Sequence, residues 1–139
     1  MIKKQQITGV VLAGGKASRM GFRDKAFAIL DDAPLIEHVI ANSAEQVGQL
    51  IISVNRNLTK FEYLELPLIS DIKHAYSGPL VGICSAMHWM LSRGVNPNSA
   101  YLACFPADVP WFPHSLVEKL KQELEDKDKQ VAWLSLIHI

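Results

Sequence analysis

The chain has 139 residues, with 14 Lys plus Arg set against 14 Asp plus Glu and a formal net charge of zero. That balance leaves no overall basic field for nucleic acid and no basic helix for a membrane surface, and no apolar run reaches the roughly 18 residues of a membrane-spanning helix. With 49% hydrophobic and 20% charged residues, the composition is that of one domain around one sizeable core.

Lys3 and Lys4 ahead of ITGVVLAGG have the outline of a secretion signal. The apolar part is short, however, Gly9, Gly14 and Gly15 interrupt it, and cations follow where a cleavage site belongs. The expectation is a soluble, cytoplasmic protein. The apolar run at 10–13 predicts a first buried strand. Leu35, Ile36, Val39, Ile40, Ala44 and Val47 then form a helical stripe, with Asp31 or Asp32 as its cap and Pro34 in its first turn. Runs at 50–54 and 66–69 predict two further strands. A second helix carries Leu80, Ile83, Cys84, Met87 and Leu91, and its Met87, Trp89 and Met90 read as core. GVNPNS at 94–99 is a turn-rich loop. Runs at 101–105 and 131–134 predict the last two strands; between them Leu116, Val117, Leu120 and Leu124 mark a third helix whose charged stretch, 118–129, is a solvated face. Cys84 and Cys104 lie in apolar segments without metal-ligand spacing and read as buried free thiols. The five histidines, His38, His74, His88, His114 and His138, lack zinc-ligand spacing as well. Strand and helix alternate, which predicts an α/β fold with a mostly parallel sheet and helices on both faces.

The polar residues that follow the strands carry the functional signal. After the first come Gly14 and Gly15, after the second Asn55 and Arg56, after the third Asp71, and after the fourth Asp108 between Pro106 and Pro110. Open parallel sheets bind ligands beyond the carboxyl ends of their strands, so these groups are expected to meet in one crevice.

The stretch LAGGKASRMGFRDKAF at 12–27 places two glycines and then Lys16, Arg19, Arg23 and Lys25 behind the first strand. Glycines let backbone amides approach a phosphate closely, and cations beside them favour an anion. The spacing matches neither the G-x-x-x-x-G-K-[ST] phosphate loop nor the G-x-G-x-x-G dinucleotide fingerprint. A mononucleotide triphosphate fits better than either; the alternative is a plain strand-to-helix turn with Lys25 paired to Asp24. Asp108 suits a Mg²⁺ ion that takes its other ligands from phosphate oxygens, the alternative being a helix cap for the segment near Pro113. Asp71 reads equally as a ligand-facing carboxylate and as a turn former.

Together these residues resemble a known family. LAGG-x-x-x-RMG-x-x-DK from Leu12 to Lys25 is similar to the signature loop of nucleotidyltransferases, and in particular of the molybdenum cofactor guanylyltransferases. The likeness continues through PLIEHV from Pro34, the Asn55-Arg56 pair, Asp71, SGPLVGI from Ser77 and FPADVP from Phe105. It implies a three-layer, Rossmann-like nucleotidyltransferase fold over 1–139 as a single domain, truncated at its C-terminus, since LSLIHI stops short of the family's later region. It further implies that Leu12, Ala13, Gly14 and Gly15 line a GTP site and that Arg19 and Lys25 contact the triphosphate. Ser53, Asn55, Asp71 and the turn of Gly78, Pro79 and Leu80 would hold ribose and guanine, and Asp108 would bind Mg²⁺. The implied reaction transfers GMP from GTP to the phosphate of molybdopterin and releases pyrophosphate. No nucleic acid or membrane partner is implied, and contacts with proteins that deliver or accept the cofactor would be transient. A CTP-dependent or sugar-phosphate nucleotidyltransferase, or a nucleotide-binding module without catalysis, would use the same loop and remains open at this point.

Overall fold

A computed structural model describes residues 1–14, 25–71 and 79–134. Four strands, β1 (Ile7–Leu12), β4 (Gln49–Ser53), β5 (Leu68–Ile69) and β6 (Tyr101–Pro106), form one sheet in the order β5-β4-β1-β6 with every pairing parallel. A small antiparallel hairpin of β2 (Ile29–Leu30) and β3 (Ala33–Pro34) lies apart from it. The helices are α1 (Leu35–Ala44), α2 (Pro79–Ser92) and α3 (Leu116–Lys127).

The alternation of side chains along a strand divides the core into two layers. Ile7 and Val11 of β1, Leu50 and Ile52 of β4, and Phe105 of β6 face one way, where Ile36 and Val39 of α1 and Val117 of α3 cover them. Val10, Ile51 and Ile69 face the other way, under Ala86 of α2. The middle strands therefore read as continuous apolar runs, as strands covered on both faces do. The expected α/β fold, a mostly parallel sheet between helical layers, is the fold observed.

Several local expectations are corrected. Asp31 and Asp32 do not cap α1; both adopt positive φ, 48° and 67°, and form the two-residue turn of the β2–β3 hairpin, a conformation that Asp tolerates better than most residues. The N-cap position of α1 falls to Pro34. On α2 the stripe read as core points largely outward: Leu80, Cys84, Met87 and Leu91 are exposed, whereas Gly82, Ser85, Ala86 and Met90 are buried. Small side chains let the helix settle close to the sheet, and a Cβ at Gly82 would meet Ser53 Oγ at 3.0 Å and a Leu12 methyl at 3.1 Å. Of the three residues read as core there, only Met90 is buried; Trp89 is half-buried against the sheet, and Met87 is exposed.

The cysteines are free but not buried, since Cys84 faces out from α2 and Cys104 lies on an exposed part of β6. No strand forms at 131–134, where Val131, Trp133 and Leu134 are exposed. Strand-forming side chains need a neighbouring strand to pair with, and none of the described strands lies beside them. The loop at 94–99 and the solvated face of α3 are as expected, the latter carrying the ion pairs Lys121–Glu118 and Lys127–Glu123.

Candidate functional site

The register of the sheet levels its carboxyl ends. Leu12 pairs with Ser53 and with Pro106, and Ser53 pairs with Ile69. One residue further on, the parallel pattern continues outside the strands: Ala13 N donates to Ser53 O at 2.8 Å, Val54 N to Ile69 O at 2.8 Å and Ala107 N to Leu12 O at 3.1 Å. Two residues beyond the last ladder pair stand Gly14, Asn55, Asp71 and Asp108. The four sequence candidates thus occupy equivalent positions on four neighbouring strands.

Three of them touch or nearly touch. Asn55 Nδ2 donates to Asp71 Oδ2 at 2.8 Å, and Asp71 N donates back to Asn55 Oδ1 at 2.8 Å. Both ends of the Asn55 amide are therefore used to hold Asp71. The other oxygen, Asp71 Oδ1, is buried and has no hydrogen-bond partner among the described residues. Buried acceptors are nearly always satisfied, and a lone carboxylate oxygen at the mouth of a sheet is a place for an incoming donor. A Cβ on Gly14 would lie 2.8 Å from Asn55 Nδ2. A side chain at 14 would thus press on the amide that holds Asp71.

Other candidates have different surroundings. Leu12 O and Ala13 N are taken up by the sheet hydrogen bonds given above, so Gly14 opens the part of the loop that has left the ladder. Ser53 is buried beneath Gly82. Leu80 is exposed in the first turn of α2, which Pro79 begins. Lys25 opens a short 3₁₀ turn, Lys25–Phe27, anchored by buried Ala26 and by Phe27, whose ring packs on Phe61 at a centroid distance of 4.9 Å. Among the described residues no carboxylate pairs with Lys25. Gly15, Lys16, Arg19, Arg23, Asp24 and Gly78 lie outside the described residues.

Asp108 is exposed just past the end of β6. The capping alternative for it fails, because the N-terminal turn of α3 begins at Ser115 and Val117 N is taken by Gln46 Oε1 at 2.9 Å. Among the described residues no three His, Cys, Asp or Glu side chains gather. A metal at Asp108 would therefore draw most of its ligands from phosphate and water, a habit of Mg²⁺. The sequence did not single out Gly82. Its only signal was its place one turn into a helix that had to pass close over β1 and β4.

A parallel sheet covered by helices on both faces, with polar groups past its carboxyl ends, is of the doubly wound α/β class, whose members bind ligands at that edge. A family profile described as MobA-like NTP transferase domain matches residues 9–136, and the chain belongs to that family. Among curated relatives, it is 40% identical over 137 residues to the molybdenum cofactor guanylyltransferase of Bordetella petrii, covering 99% of this chain and 66% of the relative. It is 36% identical over 132 residues to that of Ralstonia pickettii, covering 95% of this chain and 61% of the relative. The chain thus spans less than two thirds of either relative. Among solved structures, the molybdopterin-guanine dinucleotide biosynthesis protein A of Archaeoglobus fulgidus has the same fold, with a TM-score of 0.57 at 24% identity over 86% of this chain and 56% of the other.

Proposed function

We propose that residues 1–139 act as one nucleotidyltransferase domain that binds GTP with Mg²⁺ at the carboxyl ends of the sheet and transfers GMP to the terminal phosphate of molybdopterin. The observation that carries this reading is the row of Gly14, Asn55, Asp71 and Asp108, in which Asp71 Oδ1 is buried and has no partner among the described residues. The names of the curated relatives support the choice of GTP and of molybdopterin.

In this scheme Asp71, steadied by Asn55, accepts hydrogen bonds from the nucleoside, with Ser53, Gly78, Pro79 and Leu80 shaping that side of the crevice. Gly14 and Gly15 give the phosphates close access to the backbone, and Lys25 and Arg19 neutralise their charge. Asp108 holds Mg²⁺, which when bound offsets negative charge on the phosphates. An oxygen of the molybdopterin phosphate attacks the α-phosphorus of GTP, forming a new P–O bond. The bond from the α-phosphorus to the bridging oxygen breaks, and that oxygen leaves on pyrophosphate. The protein needs no Ser or Cys nucleophile, because positioning and charge neutralisation suffice for this class of reaction. The setting is cytosolic, with no nucleic acid or membrane partner.

Pyrophosphate release, measured with molybdopterin and either GTP or CTP at varied Mg²⁺, tests the proposal. Release with GTP that depends on both molybdopterin and Mg²⁺ is expected. Release with CTP instead would move the chain to another branch of the family, and nucleotide binding without any release would make it a binding module.

A further inference from the structure

The loop after β6, residues 107–115, carries Asp108, and its far end is held by two amide side chains of α1 and the turn that follows it. Asn42 is buried, and its Nδ2 donates to Phe112 O at 2.8 Å. One helical turn further on, Gln46 Nε2 donates to Pro113 O at 3.1 Å and to Asn42 Oδ1 at 2.9 Å, while Gln46 Oε1 accepts from Val117 N at 2.9 Å. The two amides fix each other's orientation, since turning either one would set oxygen against oxygen.

The loop needs such support. Pro110 and Pro113 supply no N–H, and the near end is held by Ala107 N to Leu12 O at 3.1 Å and by a long turn bond from Val109 N to Pro106 O at 3.4 Å. Phe112 also packs on Phe105, with ring centroids 5.4 Å apart. Asp108 lies on the stretch of backbone between these two anchors.

We propose that Asn42 and Gln46 are positioning residues for Asp108, holding the loop so that the carboxylate meets the metal–nucleotide at the end of the sheet. The inference rests on the assignment of Asp108 as the metal ligand. Groups that orient a metal ligand are typically worth about 10- to 100-fold in metal affinity, and because Asn42 and Gln46 act through the loop backbone at Phe112 and Pro113 the lower end of that range applies.

The test uses the whole chain with GTP and Mn²⁺ as a paramagnetic stand-in for Mg²⁺, with free Mn²⁺ followed by electron paramagnetic resonance at a temperature where each variant is fully folded. Gln46→Glu keeps an acceptor for Val117 N but turns an oxygen toward Pro113 O; Asn42→Ala removes the donor to Phe112 O and serves if the first variant does not fold. Each is expected to weaken GTP-dependent Mn²⁺ binding by about 10-fold, and neither should weaken it further in an Asp108→Asn background. Unchanged binding in both single variants, beside a loss in Asp108→Asn, would overturn the positioning role alone. Equal losses with and without Asp108 would also overturn it, since the effect would then be general. No effect of Asp108→Asn itself would remove the metal-ligand assignment and this inference with it.

Discussion

At the amino ends of the strands the chain closes upon itself. Gly48 N donates to Ile7 O at 2.9 Å, Gln49 Nε2 to Thr8 Oγ1 at 3.0 Å and Gln6 Nε2 to Ser99 O at 2.8 Å. At the carboxyl ends the pattern changes, for one buried oxygen of Asp71 has no partner among the described residues and Asp108 is exposed. Both ends belong to the same sheet and the same core, so the difference comes from the residues placed past the ladder. One end spends its polar groups on the fold. The other leaves some unspent, which costs stability locally and makes sense where a ligand supplies the missing partners.

The largest effect that could break this comparison is at Asp108. Asp108→Asn keeps the size of the side chain and removes its charge, so Mg²⁺-dependent turnover of GTP should fall by about 10²- to 10³-fold, the scale of losing one group that stabilises the transition state. Thermal stability should move by less than about 0.5 kcal/mol, as for an exposed position away from caps and core. Turnover with unchanged metal dependence would show that the carboxyl end is not the reacting end.

Two glycines give the next test, one at each end. A Cβ at Gly48 would lie 2.8 Å from Lys4 O and 2.9 Å from Gln5 Cα, both backbone atoms that cannot step aside. Gly48→Val should therefore destabilise the fold by about 1–3 kcal/mol or more, with GTP affinity unchanged in the protein that remains folded. At Gly14 the obstacle is the tip of the Asn55 side chain, which can move. Gly14→Val should cost less stability but displace Asn55 from Asp71, and GTP affinity measured by calorimetry should fall by about 10-fold or more, the loss of a charge-assisted hydrogen bond. If both variants lost stability and neither lost affinity, the two ends would be alike.

The legible part of this molecule follows the same division. Four strands could be placed to within a few residues because strands covered on both faces are apolar throughout, and the polar residues just past them could be grouped because a parallel sheet puts its strand ends together. The face of α2 was misread because the pattern of large apolar residues marks a core only where they are the ones that pack. Here Gly82, Ser85 and Ala86 face the sheet, and Leu80, Met87 and Leu91 are left outside. The β2–β3 hairpin escaped because Asp31-Asp32 serves equally as a cap and as a positive-φ turn. The amide link from Asn42 and Gln46 to the loop of Asp108 joins residues about 70 apart in sequence, a distance over which periodicity says nothing.

Asp71 offers a smaller effect on the same axis. Asp71→Asn retains an acceptor for Asn55 Nδ2 and removes the charge on Oδ1. Stability should change by less than about 1 kcal/mol, while GTP affinity should fall by about 10-fold through loss of a hydrogen bond to a charged group. Equal affinity in the variant would return Asp71 to the role of a turn former.

The smallest effect sharpens where the crevice begins. Cys104 lies on β6 two residues before its end at Pro106, and burial pushes its thiol up to about 11 although part of the residue is open to solvent. Cys104 is thus on the strand itself, ahead of the residues that leave the ladder. The sign follows from linkage. The folded chain favours the neutral thiol, so this contribution is intact below the ordinary thiol range and is lost as pH rises through about 11. Tyr63 loses its own contribution higher, since burial and then its hydrogen bond to Glu37 push it up to about 12. Alkylation of Cys104 by iodoacetamide, followed site by site by mass spectrometry, should stay slow at pH 8 and climb toward pH 11, and Cys104→Ala should flatten the first part of the alkaline fall in stability while Tyr63→Phe flattens the second. Fast alkylation of Cys104 at pH 8 would put cationic side chains beside the strand itself and blur the boundary at Pro106.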